Sequence, residues 1–206
     1  MITIKDEEPL CELFASLIHL KDHLMVNARV MSASIADFAT VLASHGYTLE
    51  GINPDGIGHR FSSAHLSIDL LAPDGLGNRA NLITIAPART VQVPGGTQAL
   101  RRTQLFDIQA GLAEGSLPAP NLAGAILIKA RAVEVDDLPN EQLKDLAFLL
   151  SIAPDPVAMR EELTGNERKW LRARKELEAR SSPAWRALEQ DAAEDGYAVF
   201  RYLIDR

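Results

Sequence analysis

The chain has 206 residues, a formal net charge of -7 and one cysteine, Cys11, and 47% of its residues are hydrophobic. These figures exclude an intrinsically disordered chain, a disulfide-stapled secreted domain and a zinc site built from several cysteines. They favour a cytoplasmic protein, and the lack of any apolar run of about 18 residues predicts no membrane span. The acidic balance argues against a protein that holds bulk nucleic acid through phosphate contacts alone.

The first half of the chain is typical of short strands separated by turns, with helices near its start. Apolar spacing predicts helices over residues 6–19 and 34–45, the second capped by Ser34 and stopped by Gly46. Residues 60–71 are expected to hold one strand or a hairpin, and residues 94–97 to open a short helix with Thr97 as its N-cap. Further strands are predicted over 24–30, 47–50, 82–85 and 90–93.

After a polar connection, the second half of the chain is predicted to be helical almost throughout. Asn166 is predicted to be the N-cap between two of its helices. The overall texture predicts an α+β chain, with an α/β core over residues 1–105 and a helical lobe over residues 106–206. Helices are predicted over 119–133, 143–152, 157–163, 167–180 and 183–193, with a last helix or strand over 197–204.

Asp69 is the first candidate functional residue, because it lies between Ile68 and Leu70 near the end of a predicted strand. One hypothesis makes it a metal ligand or general base, since carboxylate oxygens suit Mg²⁺. The other makes it a solvated or helix-capping aspartate on the outer face of an edge strand. Asp22 lies just before the strand predicted over 24–30, where an isolated aspartate is more typical of a turn.

Lys129 and Asp145 form a second candidate pair on successive predicted helices. Lys129 shares an otherwise apolar helix face with Ile126, so it either extends to the surface or points into a site. An ammonium group in a site would stabilise charge in phosphoryl transfer. Asp145 is expected in the first turn of its helix, where it complements the helix dipole or forms an ion pair that orients Lys129.

A glycine pair before a helix gives a weaker candidate. Residues 94–97 precede Arg101 and Arg102, so this helix start either holds an anion or is an ordinary turn between a strand and a helix. Together with Arg60 and Arg79, the two arginines would form a local basic rim if the fold brings them close together.

Several runs in a fixed order carry a family resemblance. They are residues 56–61, 68–77, 91–103, 117–120, 128–130, 144–150 and 163–168. On these runs the chain, from about Leu24 to its C-terminus, resembles the AbiEii/AbiGii-type nucleotidyltransferases. These proteins are toxin components of abortive-infection and toxin–antitoxin systems.

The resemblance implies a nucleotidyltransferase-like small mixed sheet with helices, followed by a helical C-terminal lobe. It implies transfer of a nucleotide from a nucleoside triphosphate to an acceptor such as tRNA, with Mg²⁺ as cofactor and a cognate antitoxin as a possible protein partner. Asp69 matches the third acidic position of the family, and Asp22 stands where its Asp-x-Asp pair begins, so the resemblance implies that Asp22 and Asp69 hold the Mg²⁺. Lys129 and Asp145 match its later lysine and acidic positions.

The chain also departs from the family pattern near its start. No Gly-Gly or Gly-Ser precedes Asp22, and Leu24 stands where the second carboxylate of the Asp-x-Asp pair is expected. This departure implies a truncated or rebuilt front, or a loss of transferase activity. Two functions are therefore expected: a divergent nucleotidyltransferase, or a catalytically inactive remnant of that fold that binds a protein or a nucleotide.

Overall fold

The computed structural model describes residues 2–4, 34–64, 66–77 and 80–205. They have an α+β fold and divide into two compact units. The first unit contains the described residues up to Val93 together with 104–119, and the second contains 94–103 and the described residues from Pro120 onward. Over these ranges no helix is long and apolar enough to cross a membrane. The elements predicted over 6–19 and 24–30 lie outside the described residues.

Among the described residues, the first unit has short strands and one helix. Its strands form three small sheets, in the orders β1-β7-β8, β2-β3-β4 and β5-β6. The elements are β1 (Ile2–Ile4), α1 (Ile35–Ser44), β2 (Thr48–Leu49), β3 (Arg60–Ser63), β4 (Leu66–Asp69), β5 (Ala72–Pro73), β6 (Gln92–Val93), β7 (Thr103–Ala110) and β8 (Ala113–Pro120).

Helix α1 confirms the helix predicted over 34–45. The Ser34 hydroxyl accepts a hydrogen bond from the Asp37 backbone N–H, and the Asp37 carboxylate accepts one from the Ser34 N–H. This reciprocal capping box satisfies donors that a helix start leaves unpaired. Gly46, with φ of +82°, follows the helix. The apolar face of α1 packs in a small core that also holds the fully buried Phe61 of β3.

Strands β3 and β4 form an antiparallel hairpin that resolves the two alternatives for residues 60–71. In its register Arg60 lies opposite Asp69 and Phe61 opposite Ile68. Because side chains alternate between the two faces of a strand, Arg60 and Asp69 share the face opposite to Phe61. The buried Phe61 thus fixes which face of the hairpin carries the charged pair.

Two predictions for the first unit were wrong. Residues 82–85 form no strand, because the chain folds back tightly there: the Thr84 N–H donates to Ala88 O and the Thr90 N–H to Leu82 O. The polar connection before residue 119 proved to be the strands β7 and β8. β8 is an edge strand of its sheet, the place where a strand tolerates prolines such as Pro118.

The second unit consists of helices. They are α2 (Gly96–Arg101), α3 (Leu122–Ala132), α4 (Pro139–Ser151), α5 (Pro156–Glu162), α6 (Gly165–Arg172), a 3-10 helix (Lys175–Glu178), α7 (Pro183–Arg186) and α8 (Gln190–Ile204). Their apolar faces enclose one core, with Trp185 and Phe200 among its largest buried side chains. Helices α4 and α8 approach closely at Gly196, where an added Cβ would lie 3.1 Å from the Ser151 N atom.

Several helix boundaries differ from those predicted. The helix predicted over 167–180 divides into α6 and the 3-10 helix, and α8 continues through both 190–193 and 197–204. Thr164, rather than Asn166, caps α6, because its hydroxyl accepts from the Glu167 N–H in a second capping box. Gly95, rather than Thr97, precedes α2, and its φ of +85° is one that glycine adopts without strain. The prediction placed a division of the chain at residue 105, whereas residues 94–103 and 104–119 lie in different units.

Candidate functional site

Asp69 lies at the end of β4, an edge strand of its three-stranded sheet. Its carboxylate accepts two hydrogen bonds from Arg60: Nε to Oδ1 at 2.7 Å and Nη2 to Oδ2 at 2.9 Å. This two-pronged contact is the strongest geometry that arginine makes with a carboxylate. Both carboxylate oxygens of the first candidate residue are therefore engaged by a neighbouring strand.

The guanidinium of Arg60 sets the electrostatics of Asp69. Its hydrogen bonds hold the pKa of the Asp69 carboxyl below its usual value, against burial, which raises it. The charges of Arg60 and of nearby His59 act in the same direction as the hydrogen bonds. The pair remains open to water, with 53% of the Arg60 side chain and 34% of the Asp69 side chain exposed. This is the solvated position on an edge strand that one of the two hypotheses described.

A second carboxylate lies on the other side of Arg60. The Glu50 N–H donates to Arg60 O, which places Glu50 beside Arg60 at the end of β2. The Ser67 hydroxyl, on the same sheet face as Asp69, donates to Glu50 Oε1 at 3.4 Å. The charge of Glu50 adds to the interactions that raise the pKa of Arg60. One exposed sheet face thus carries the row Glu50–Arg60–Asp69.

The described residues do not by themselves fit a Mg²⁺ site. Mg²⁺ is bound by oxygen ligands, and a two-metal centre needs a cluster of them. Within the parts of the chain described above, no group of three or more His, Cys, Asp or Glu side chains converges. Asp69 has both oxygens on Arg60. Asp22, the other predicted metal ligand, lies outside the described residues.

Lys129 and Asp145 meet in the second unit. The Lys129 ammonium donates to Asp145 Oδ2 at 2.6 Å and to Gln142 Oε1 at 3.0 Å. Lys129 projects from α3, next to the fully buried Ala130, and Asp145 projects from α4. The two side chains are 33% and 53% exposed, so the ammonium is held in place and still reaches solvent. The ion pair proposed from the sequence is therefore present.

The prediction that Asp145 lies in the first turn of its helix was wrong. Helix α4 begins at Pro139 and ends at Ser151, so Asp145 lies near its middle. Glu141 is the acidic residue of its first turn. Because the dipole effect is confined to the first and last turns, it does not explain an aspartate at position 145. The contact with Lys129 is the interaction that the structure gives Asp145.

Gln142 and Asp136 extend this contact, and neither residue was among the candidates identified from the sequence. The Gln142 side chain donates through Nε2 to Asp136 Oδ2 at 2.7 Å while its Oε1 accepts from Lys129. Gln142 lies one helical turn before Asp145, a spacing that puts both on one face of α4. That spacing is the pattern that would have pointed to Gln142. Arg60 was recognised only as a member of a basic rim, although hairpin pairing places it opposite Asp69.

Near the start of α2, where an anion site was considered, Arg102 already forms ion pairs within the protein. The Arg102 guanidinium donates from Nε to Glu162 Oε1 at 2.8 Å and lies 3.0 Å from a Glu167 carboxylate oxygen. Glu167 is only 3% exposed, so loss of either partner would leave a buried charge uncompensated. Arg101 is exposed, and Arg79 lies outside the described residues. The arginine contacts seen here are thus internal ion pairs of each unit.

The candidate residues fall into two groups. Asp69 belongs to the first compact unit with Arg60, and Lys129 and Asp145 belong to the second. Each group has a cation and a carboxylate in direct contact within its own unit. A comparison of this chain with known protein families, with characterised proteins and with solved structures finds no match.

Proposed function

We propose that this chain is a divergent nucleotidyltransferase-fold protein of the type that AbiEii toxins represent. It would transfer a nucleotide from a nucleoside triphosphate to an acceptor such as tRNA. The observation that carries the proposal is the contact between Lys129 and Asp145, because the two residues that match the family's later motif meet at 2.6 Å. A cognate antitoxin protein belongs to the same proposal as a partner.

The chemistry of Lys129 supports this function. Phosphoryl and nucleotidyl transfer are promoted mainly by positioning and by cations that neutralise developing phosphate charge. An ammonium held by Asp145 and Gln142 has lost part of its rotamer freedom before a substrate arrives. Because it is still a third exposed, it is accessible to a triphosphate. Asp145 would orient Lys129 or the acceptor.

The test is label transfer from nucleoside triphosphates to total tRNA, with and without Mg²⁺. Lys129→Met is expected to lower the transfer rate about 100-fold, the usual cost of removing one preorganised charge-stabilising group. Lys144→Met is the matched control, since Lys144 is also on the surface in an ion pair, with Glu141. Equal loss in both variants, or transfer that survives Lys129→Met, would contradict the role of Lys129.

A specific observation favours a second function. Both oxygens of Asp69, the carboxylate that the resemblance places at the metal, accept from Arg60. A nucleotidyltransferase-fold protein whose acidic residue is neutralised in this way would bind a nucleotide or a protein without transferring a nucleotide. Nucleotide binding in equilibrium dialysis, together with no transfer to tRNA and no effect of Asp69→Ala, would support this function over the first.

A further inference from the structure

Arg60 occupies the centre of a charged row on an exposed sheet face. It lies between Asp69 on β4 and Glu50 at the end of β2. The Ser67 hydroxyl of β4 donates a hydrogen bond to Glu50. Cross-strand neighbours on one face lie within side-chain reach of each other. The row therefore presents one cation between two carboxylates, all of them accessible to ions in solution.

The guanidinium of Arg60 competes electrostatically with a divalent cation for the Asp69 carboxylate. Arg60 donates to Oδ1 and to Oδ2, so it already neutralises the charge that would attract a metal ion. Its positive charge also repels a dication directly. Each carboxylate oxygen keeps a second lone pair, so Arg60 disfavours a metal ion at Asp69 through its charge and not by filling every acceptor site.

We propose that Arg60 is the resident counter-cation of Asp69 and keeps divalent metal ions off this carboxylate. The proposal deepens the proposed function by naming what controls its acidic site, and it rests on that function only for the importance of Asp69. Arg60, on the adjacent strand, neutralises the charge of Asp69 that would otherwise attract a metal ion.

Removing the guanidinium tests this role. Without Arg60, the sheet face presents the carboxylates of Asp69 and Glu50 and the hydroxyl of Ser67, which are the oxygen ligands that Mn²⁺ and Mg²⁺ accept. Arg60→Gln keeps a polar side chain of similar length. Because the Arg60–Asp69 pair is exposed to solvent, its loss is expected to leave the hairpin folded.

The probe is Mn²⁺ alone, followed by the paramagnetic broadening of backbone amide signals in the ¹⁵N-labelled full chain. Arg60→Gln is expected to bind Mn²⁺ at β3 and β4 at least about tenfold more tightly than the unmodified chain, since a local positive charge is removed. The double variant Arg60→Gln with Asp69→Asn is expected to lose that gain. Lys144→Gln, which removes the same charge from an exposed ion pair, should produce no gain at the hairpin.

Three outcomes would overturn the proposal. They are equal Mn²⁺ affinity at the hairpin with and without Arg60, equal gains in Arg60→Gln and Lys144→Gln, and a gain that persists when Asp69 is replaced. The amide spectrum of each variant reports directly whether β3 and β4 remain paired. Because the readout is metal binding and not label transfer, a failed transfer assay leaves this result intact, and the two proposals fail independently.

Discussion

The Lys129 ammonium and the Asp145 carboxylate lie 2.6 Å apart on the successive helices α3 and α4. An exposed ion pair contributes about 1 kcal/mol or less to stability, because water screens it and two long side chains lose freedom. The contact is therefore better explained as a means of orienting Lys129 than as a source of stability.

Asp145→Asn is expected to lower the free energy of unfolding by about 1 kcal/mol or less, because the pair is exposed. Transfer or triphosphate binding is expected to fall much more, since the amide no longer holds the ammonium by charge. Urea denaturation measures the first quantity and label transfer the second. A large stability loss with unchanged function would assign Asp145 a structural role instead.

Glu167 is expected to be among the most sensitive charged residues of the helical unit. It caps α6 with Thr164 and contacts Arg102 while almost fully buried. Glu167→Ala is expected to lower the free energy of unfolding by about 3 kcal/mol, because it leaves the largely buried Arg102 without one of its partners. The loss stays at the low end for a broken buried ion pair because Glu162 still contacts Arg102. Glu161→Ala, an exposed residue of α5, is the control and should change stability by about 0.5 kcal/mol or less in urea denaturation.

Glu167 also makes the free energy of unfolding depend on pH. Burial raises the pKa of Glu167, but hydrogen bonds from Thr164 and Arg102, together with the charge of Arg102, outweigh it and leave the pKa below its usual value. A carboxyl whose pKa is lowered on folding stabilises the folded state above its unfolded pKa of about 4.3. This contribution is lost as the pH falls through the folded-state pKa. The free energy of unfolding, measured by denaturation between about pH 3 and pH 7, should therefore fall less steeply below about pH 4.3 in Glu167→Ala than in the unmodified chain.

Arg60 is expected to control the titration of Asp69. Because its hydrogen bonds lower the pKa of Asp69, Arg60→Gln should move that pKa upward, toward the ordinary value of about 3.9. The stabilisation by this pair is present above the unfolded pKa and disappears as the pH falls through the folded-state value. A carboxyl ¹³C NMR titration measures the change, and an unshifted Asp69 in Arg60→Gln would show that Arg60 does not set its charge.

Two glycines of the helical unit should respond to alanine in opposite directions. A Cβ on Gly196 would lie 2.9 Å from Trp185 Cζ3 and 3.2 Å from Ala147 O, so Gly196→Ala is expected to destabilise the chain by about 2 kcal/mol through overpacking. A Cβ on Gly165 would meet no atom within 4 Å, so Gly165→Ala in α6 should stabilise by about 0.5 kcal/mol. Thermal melts of both variants compare the two effects directly.

Local sequence patterns predicted the elements that depend on neighbours in the chain. The capping of α1 by Ser34 follows from a residue three positions away, and the face of α3 that presents Lys129 follows from helical spacing. The meeting of Lys129 with Asp145 was predictable as one of two alternatives, because antiparallel packing of successive helices is common. The other alternative was a helix-dipole role for Asp145, and the start of α4 at Pro139 excludes it because Asp145 then lies outside the first turn.

The partner of Asp69 was harder to predict, because strand pairing depends on register. A slip of one residue would have placed Arg60 opposite Ile68 or Leu70, and the turn around Ala64 sets the actual pairing. Strands β7 and β8 were missed for a different reason. Only the second half of β7 alternates, with Ile108 and Ala110 buried, whereas its first half is exposed, including Leu105 at 70%. The alternation that marks a half-buried strand therefore covers only part of β7.

The hydrogen bond from Asn121 N–H to Arg102 O, 2.7 Å long, has a consequence for how the chain assembles. Helix α2 and helix α3 belong to one unit, yet residues 104–119 of the other unit separate them in sequence. The helical unit is therefore complete only after the intervening segment has turned back, so its closure carries the entropy cost of a loop of that length. Replacing residues 104–119 with a short flexible linker would shorten this loop, and we expect it to accelerate the joining of α2 to the other helices.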